Sequence, residues 1–206
     1  MPSTGKGKIV LILIILFAIT VSVFSYFYSY SDAFNFSLRL FALNGFFSLC
    51  VAAFMTSFLK DIRRVFNRSF INVHHYFAIT GLILATLHPV SLFIRSFDPT
   101  IFLPNLSSFY LFWLLAGRQA LLTIYIAVLA AFLLIKIPKY RNYWRVLHAL
   151  IYVALLFAVV HGNLIGTDFQ NIFVSILYNG LFIGVIAVFT FKRIQKYKKP
   201  KKTNNH

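Results

Sequence analysis

Residues 71–94 read INVHHYFAITGLILATLHPVSLFI, an apolar run about one membrane thickness long, with His74 near its start and His88 near its end. Residues 144–162, WRVLHALIYVALLFAVVHG, repeat the arrangement with His148 and His161. The separations are 14 and 13 residues, or roughly 20 Å of helix at ~1.5 Å per residue. A hydrocarbon core is about 30 Å thick, so each leaflet receives one histidine from each run. A titratable ring in hydrocarbon is costly and marks a functional position by default.

The composition around these runs is that of a membrane protein. Of 206 residues, 60% are hydrophobic, 18% aromatic and only 12% charged, far too apolar for a soluble domain. Apolar runs fall near residues 9–29, 36–59, 71–94, 119–136, 146–164 and 170–191, each close to the ~20 residues a transmembrane helix needs. The expected fold is all-α: a polytopic membrane six-helix bundle, one transmembrane domain over residues 1–206, with a basic tail at 192–206. The first run exceeds the roughly 7–15 apolar residues of a secretory signal and reads as an uncleaved helix. Cys50 is the lone cysteine, so neither an internal disulfide nor a thiolate metal cluster can form.

The formal net charge of +16 invites a nucleic-acid reading, but its distribution points to membrane topology. Of the 20 Lys and Arg, all but Arg39, Arg95 and Arg118 lie before the first run, after the second, after the fourth or after the sixth. Asp32, Asp98 and Asp168 lie in the alternate segments. Cytoplasmic loops collect Lys and Arg, so both termini are expected in the cytoplasm, the chain in the cell membrane, and the tail against anionic lipid. No nucleic-acid partner is expected. The long segment Ser96 to Gly117, broken by Pro99 and Pro104, is expected on the outer side as a cover for the bundle.

With one complete helix between them, the third and fifth runs point the same way, and their histidines match level for level. Neutral imidazole is a good axial ligand for haem iron, and two of them saturate iron so that it exchanges electrons instead of binding oxygen. His74 with His148 and His88 with His161 are the expected axial ligands of two haem b groups, stacked across the bilayer. At ~100° per residue, 14 steps return His88 to within about 40° of His74's face. Thirteen steps leave His161 about 140° from His148, so a tilt, a bulge near Gly162 or different rotamers are required. His75, Trp144 and Arg145 are candidates for the surroundings of the inner haem, with Arg64 and Arg141 beside them. Arg39 either meets a propionate of the outer haem or snorkels. His206 reads as a tail residue.

At His74, His88-Pro89, Trp144-Arg-Val-Leu-His148 and His161 the chain resembles the ferric reductase-like transmembrane domain family. That family includes ferric reductases, the NADPH oxidase membrane core and the haem-binding membrane subunit of periplasmic methionine sulfoxide reductase. The likeness covers roughly residues 40–190. It implies a b-type haem bundle passing electrons from a cytoplasmic flavin to an outer acceptor, with the four histidines as ligands. The chain departs from the family at His75, often arginine there, and at Ala78, often glycine. FAD and NAD(P)H domains are not expected on this chain, so a separate flavoprotein or quinol is the expected donor and the chain an oxidoreductase component. A single-haem version using His88, His148 and His161 and a haem-free membrane scaffold are the alternatives. The absence of Glu and of a carboxylate relay within the spans argues against a transporter.

Overall fold

The structure, a computed structural model, describes residues 5–29, 32–140 and 143–198. Arg141, His206 and the tail beyond residue 198 lie outside the described residues. The helices are α1 (Gly5–Ser29), α2 (Ala33–Met55), α3 (Leu59–Phe66), α4 (Phe70–Ser96), α5 (Phe109–Leu114), α6 (Ala116–Leu134), α7 (Trp144–His148), α8 (Ile151–Ile165) and α9 (Ile172–Lys198), with short 3-10 turns between some of them. Six stretches are long and apolar enough to cross a membrane: α1, α2, α4, α6, α7 with α8, and α9. The fold is all-α, a multi-pass six-span bundle.

Local chemistry sets the helix starts. Asp32, Ser69 and Ser108 accept hydrogen bonds from the backbone N–H groups of Asn35, Asn72 and Leu111, capping α2, α4 and α5, as short polar side chains do at helix N-termini. The second span ends at Met55, earlier than the apolar run ending near residue 59 suggests, because residues 56–58 turn the chain into α3. That helix is amphipathic: Phe66 is buried and Ile62 and Val65 half-buried against α4, while Lys60, Arg63 and Arg64 are exposed. The spacing Leu59, Ile62, Val65, Phe66 carries the helical period that identifies α3.

Two antiparallel pairs, α2 with α4 and α6 with α8, form the centre, and α9 packs on α2 and α8. Gly45 permits the closest approach of the first pair, since a Cβ there would lie 2.9 Å from the Ala85 backbone nitrogen. The core between the pairs is apolar, with Phe46, Phe47, Leu155 and Val159 buried in it. The basic segments converge on one end of the bundle: the start of α1 packs on the Val65 carbonyl of α3, and Lys192 of α9 lies over the Phe58 ring at 4.9 Å.

The opposite end is tied by a buried ion pair. Arg39 of α2 meets Asp168 at 3.3 Å, with side chains 12% and 6% exposed. Arg39 also donates to the Ser25 carbonyl of α1 at 2.9 Å, and the Ser25 hydroxyl donates to Asp168 at 2.6 Å. The last turns of α1, the second turn of α2 and the turn between α8 and α9 thus share one polar cluster. Removing one partner of a buried pair strands the other charge, at a cost of about 3–5 kcal/mol, whereas an exposed pair contributes about 0–1 kcal/mol. Asp168→Ala should therefore lower the thermal midpoint of the detergent-solubilised protein sharply. Asp61→Ala, which removes the exposed partner of Arg64, should leave it nearly unchanged, and equal midpoints would show that the buried pair does not hold the bundle's end.

Candidate cofactor site formed by four membrane histidines

All four intramembrane histidines are held in one way. His74 Nδ1 lies 3.1 Å from the Ala52 carbonyl, His88 Nδ1 3.0 Å from Leu38, His148 Nδ1 3.1 Å from Ala127 and His161 Nδ1 3.0 Å from Leu114. A carbonyl oxygen can only accept, so each ring donates from Nδ1, and in a neutral imidazole the lone pair then resides on Nε2. Histidines that bind metals are commonly held in this way, one ring nitrogen donating to a carbonyl and the other left free to coordinate.

The partners also explain the spacing. Leu38 and Ala52 are 14 residues apart on α2, as His74 and His88 are on α4. Leu114 and Ala127 are 13 apart along α5 and α6, as are His148 and His161. Antiparallel helices of equal rise keep such a pairing in register at both ends. The unequal spacings therefore belong to two hairpins, each with its own register.

The turn of about 140° between His148 and His161 is reduced at the other end of the span from Gly162. Between α7 and α8, Leu150 N–H bonds Leu147 O at 3.0 Å and Tyr152 N–H bonds Ala149 O at 3.1 Å. Such 3-10 steps turn the chain by roughly 120° per residue in place of ~100°, overwinding it so that the two rings approach a common face. An overwound segment at Ala149 and Leu150 thus contributes to the rotation for which a tilt, a bulge near Gly162 or different rotamers were the expected sources.

The parallel course of α4 and α8 sets His74 beside His148 and places His88 and His161 on one cleft. The His74 and His148 ring centres are 6.3 Å apart with planes at 77°. Two imidazoles on opposite sides of a metal, each bonded at roughly 2 Å, have ring centres roughly 6 Å apart, a spacing close to that of this pair. His88 and His161 line one cleft with a volume of about 120 Å³. Helices α2, α4, α6, α8 and α9 all contribute to it, and apart from His88, His161 and Tyr178 its lining side chains are apolar. Gly117 sits against the His161 ring: a Cβ there would fall 2.8 Å from Cδ2 and Nε2.

The remaining candidates divide between the two ends. His75 is exposed beside His74, ring centres 6.0 Å apart. Trp144 is half-buried against His148 at 6.0 Å, and Arg145 lies over the Trp144 ring at 5.6 Å. Arg64 is exposed and pairs with Asp61. Arg39 follows Leu38, the partner of His88, but its guanidinium is engaged with Asp168 and Ser25. Asp168 escaped the sequence reading as a site residue. Its position as the lone acid between the last two spans, opposite an arginine within the second, was the available signal. Tyr178 and the Leu114 carbonyl carried no sequence signal.

The segment 97–115 folds onto the His161 end. Arg118 donates to the Thr100 carbonyl at 2.7 Å, and the Thr100 hydroxyl and N–H, with Arg118 nearby, hold the Asp98 carboxyl below its ordinary range. Trp113 of α5 packs on Phe157 at 5.7 Å. The segment expected as a cover thereby supplies the carbonyl that orients His161. Among the described residues no three His, Cys, Asp or Glu side chains gather around a common point. No protein-family model, curated protein or solved structure matches the chain.

Gly117→Ala should push the His161 ring off its seat and break the bond to Leu114. Histidine 15N spectra of the cofactor-free protein in lipid should show four neutral rings protonated at Nδ1, and one such resonance should shift in the variant. Retention of all four unshifted would contradict this close approach.

Proposed function

We propose that this chain is a membrane electron-transfer subunit that binds two b-type haems, one between His74 and His148 and one between His88 and His161. The observation that carries the reading is the common pose of four histidines, each anchored at Nδ1 with Nε2 left to coordinate. Paired imidazoles alone are a poor site for a bare ion, since protein-held zinc takes three or four protein ligands. They suit a metal whose remaining positions are filled by a planar macrocycle. Haem supplies reversible one-electron chemistry at iron.

The chain's own residues position and insulate. The carbonyls of Ala52, Leu38, Ala127 and Leu114 fix ring orientation and raise the donor strength of Nε2. The four imidazoles would hold the haem iron, which would then have no position open to oxygen and would supply reversible electron exchange when bound. The apolar walls around His88 and His161 exclude water. The histidine levels, roughly 20 Å apart, span much of the hydrocarbon core, which suits transfer from one leaflet to the other.

By the positive-inside tendency, the His74/His148 end, where the basic segments converge, faces the cytoplasm of a cell-membrane protein. Its donor is a separate flavoprotein or quinol and its acceptor lies at the His88/His161 end. This matches the resemblance to ferric reductase-like membrane domains carried by His74, His88, His148 and His161.

Purified protein should show reduced-minus-oxidised b-type absorption bands and two haems per chain. His74→Ala should remove about half of the haem and His88→Ala the other half. Full haem content in His74→Ala would reduce the proposal to a single-haem subunit. Absence of the bands from protein expressed with haem available would leave a haem-free scaffold.

A further inference from the structure

Tyr178 is 1% exposed and lines the cleft of His88 and His161, yet its hydroxyl has no hydrogen-bond partner among the described residues. Leaving a buried hydroxyl unpaired costs about 1–3 kcal/mol, and native proteins satisfy nearly all such groups. The neighbouring rings supply no acceptor: Phe46 lies 5.7 Å and Phe169 5.8 Å from the Tyr178 ring, centre to centre. The other polar side chains of the cleft are His88 and His161, whose Nδ1 atoms are already bonded to Leu38 and Leu114.

A partner supplied by the occupant of the cleft resolves this. Building on the haem reading above, we infer that the Tyr178 hydroxyl donates a hydrogen bond to a propionate carboxylate of the haem held by His88 and His161. The propionates are the porphyrin's peripheral oxygen acceptors, and a carboxylate inside an apolar cleft needs a donor, since burying it unpaired is very costly. The position suits this role. Tyr178 lies six residues into α9 from its start at Ile172, roughly 9 Å along the axis, and packs on Phe169, the residue that follows Asp168 of the ion pair tying this end of the bundle. A propionate held there would lie toward the end of the bundle where Arg39 and Asp168 meet. The pairing of Asp168 with Arg39 also limits the repulsion a second carboxylate would meet.

A hydrogen bond to a propionate draws negative charge away from iron and favours the ferrous form. In the intact haem-loaded protein, Tyr178→Phe keeps the ring and its packing and removes only the donor. Both haems should stay low-spin. At a fixed poise the ferrous-to-ferric ratio of the His88/His161 haem should fall several-fold, while that of the His74/His148 haem stays put. The propionate-bending band in the resonance Raman spectrum should move as well. Reconstitution with haem dimethyl ester gives an independent measurement: esterification should perturb the wild-type Raman signature and have a clearly smaller effect in Tyr178→Phe. An unmoved band and ratio in haem-loaded Tyr178→Phe, or equal ester effects in both proteins, would overturn the assignment of Tyr178 alone. Wild-type protein that takes up no haem would overturn the functional reading, and this inference with it.

Discussion

The hydrogen bond from an imidazole Nδ1–H to a helix carbonyl, made four times, is the constraint around which this bundle is arranged. It fixes tautomer and ring direction together. It also uses acceptors that helices rarely share: Leu38 and Ala127 lie within helices, Ala52 in the last turn of α2, and Leu114 at the end of α5. At that last turn of α2, Thr56 N–H bonds Ala53 O, one residue short of the α-helical acceptor, so the Ala52 carbonyl is well placed for a side chain. A second lone pair on each carbonyl lets the oxygens inside helices accept as well. In hydrocarbon, where water cannot substitute, such bonds orient a ring more firmly than packing alone.

From this constraint the architecture follows. Each histidine helix needs an antiparallel neighbour that supplies carbonyls at the same two depths, so α2 accompanies α4, and α5 with α6 accompanies α8. The hairpins then face each other with α4 and α8 parallel, bringing His74 to His148 and His88 to His161. The breaks fall where registers must be reconciled. Leu115 ends α5 and turns the Leu114 carbonyl to His161, and the overwound turn at Ala149 and Leu150 rotates His148. Gly45 and Gly117 stand where a side chain would separate the layers.

Much of this was legible in the residues. Hydropathy placed six spans within a few residues of the observed helices, because in lipid a span's length is set by the bilayer. The histidine pairs followed from nearly matching spacings, 14 and 13 residues, on like-directed helices. Helix α3 keeps the helical period in Leu59, Ile62, Val65 and Phe66 but lies outside the long apolar runs that mark the spans. The other missed features depend on atoms that sequence patterns do not encode. The Arg39–Asp168 pair joins residues distant in the chain, so Arg39, read as a propionate contact or a snorkelling side chain, has a protein carboxylate instead. The turn at Ala149 is carried by backbone hydrogen bonds between ordinary helix formers, and Tyr178 looks like any aromatic of a lipid-facing span until its hydroxyl is seen to be buried.

The most direct test is electron paramagnetic resonance of the fully oxidised purified protein. Iron clasped by two imidazoles is low-spin, and ring planes close to the 77° between His74 and His148 should give the highly anisotropic signal of crossed axial ligands at that centre. High-spin ferric signals, with an axial position open at either centre, would contradict the sandwiching of iron between α4 and α8.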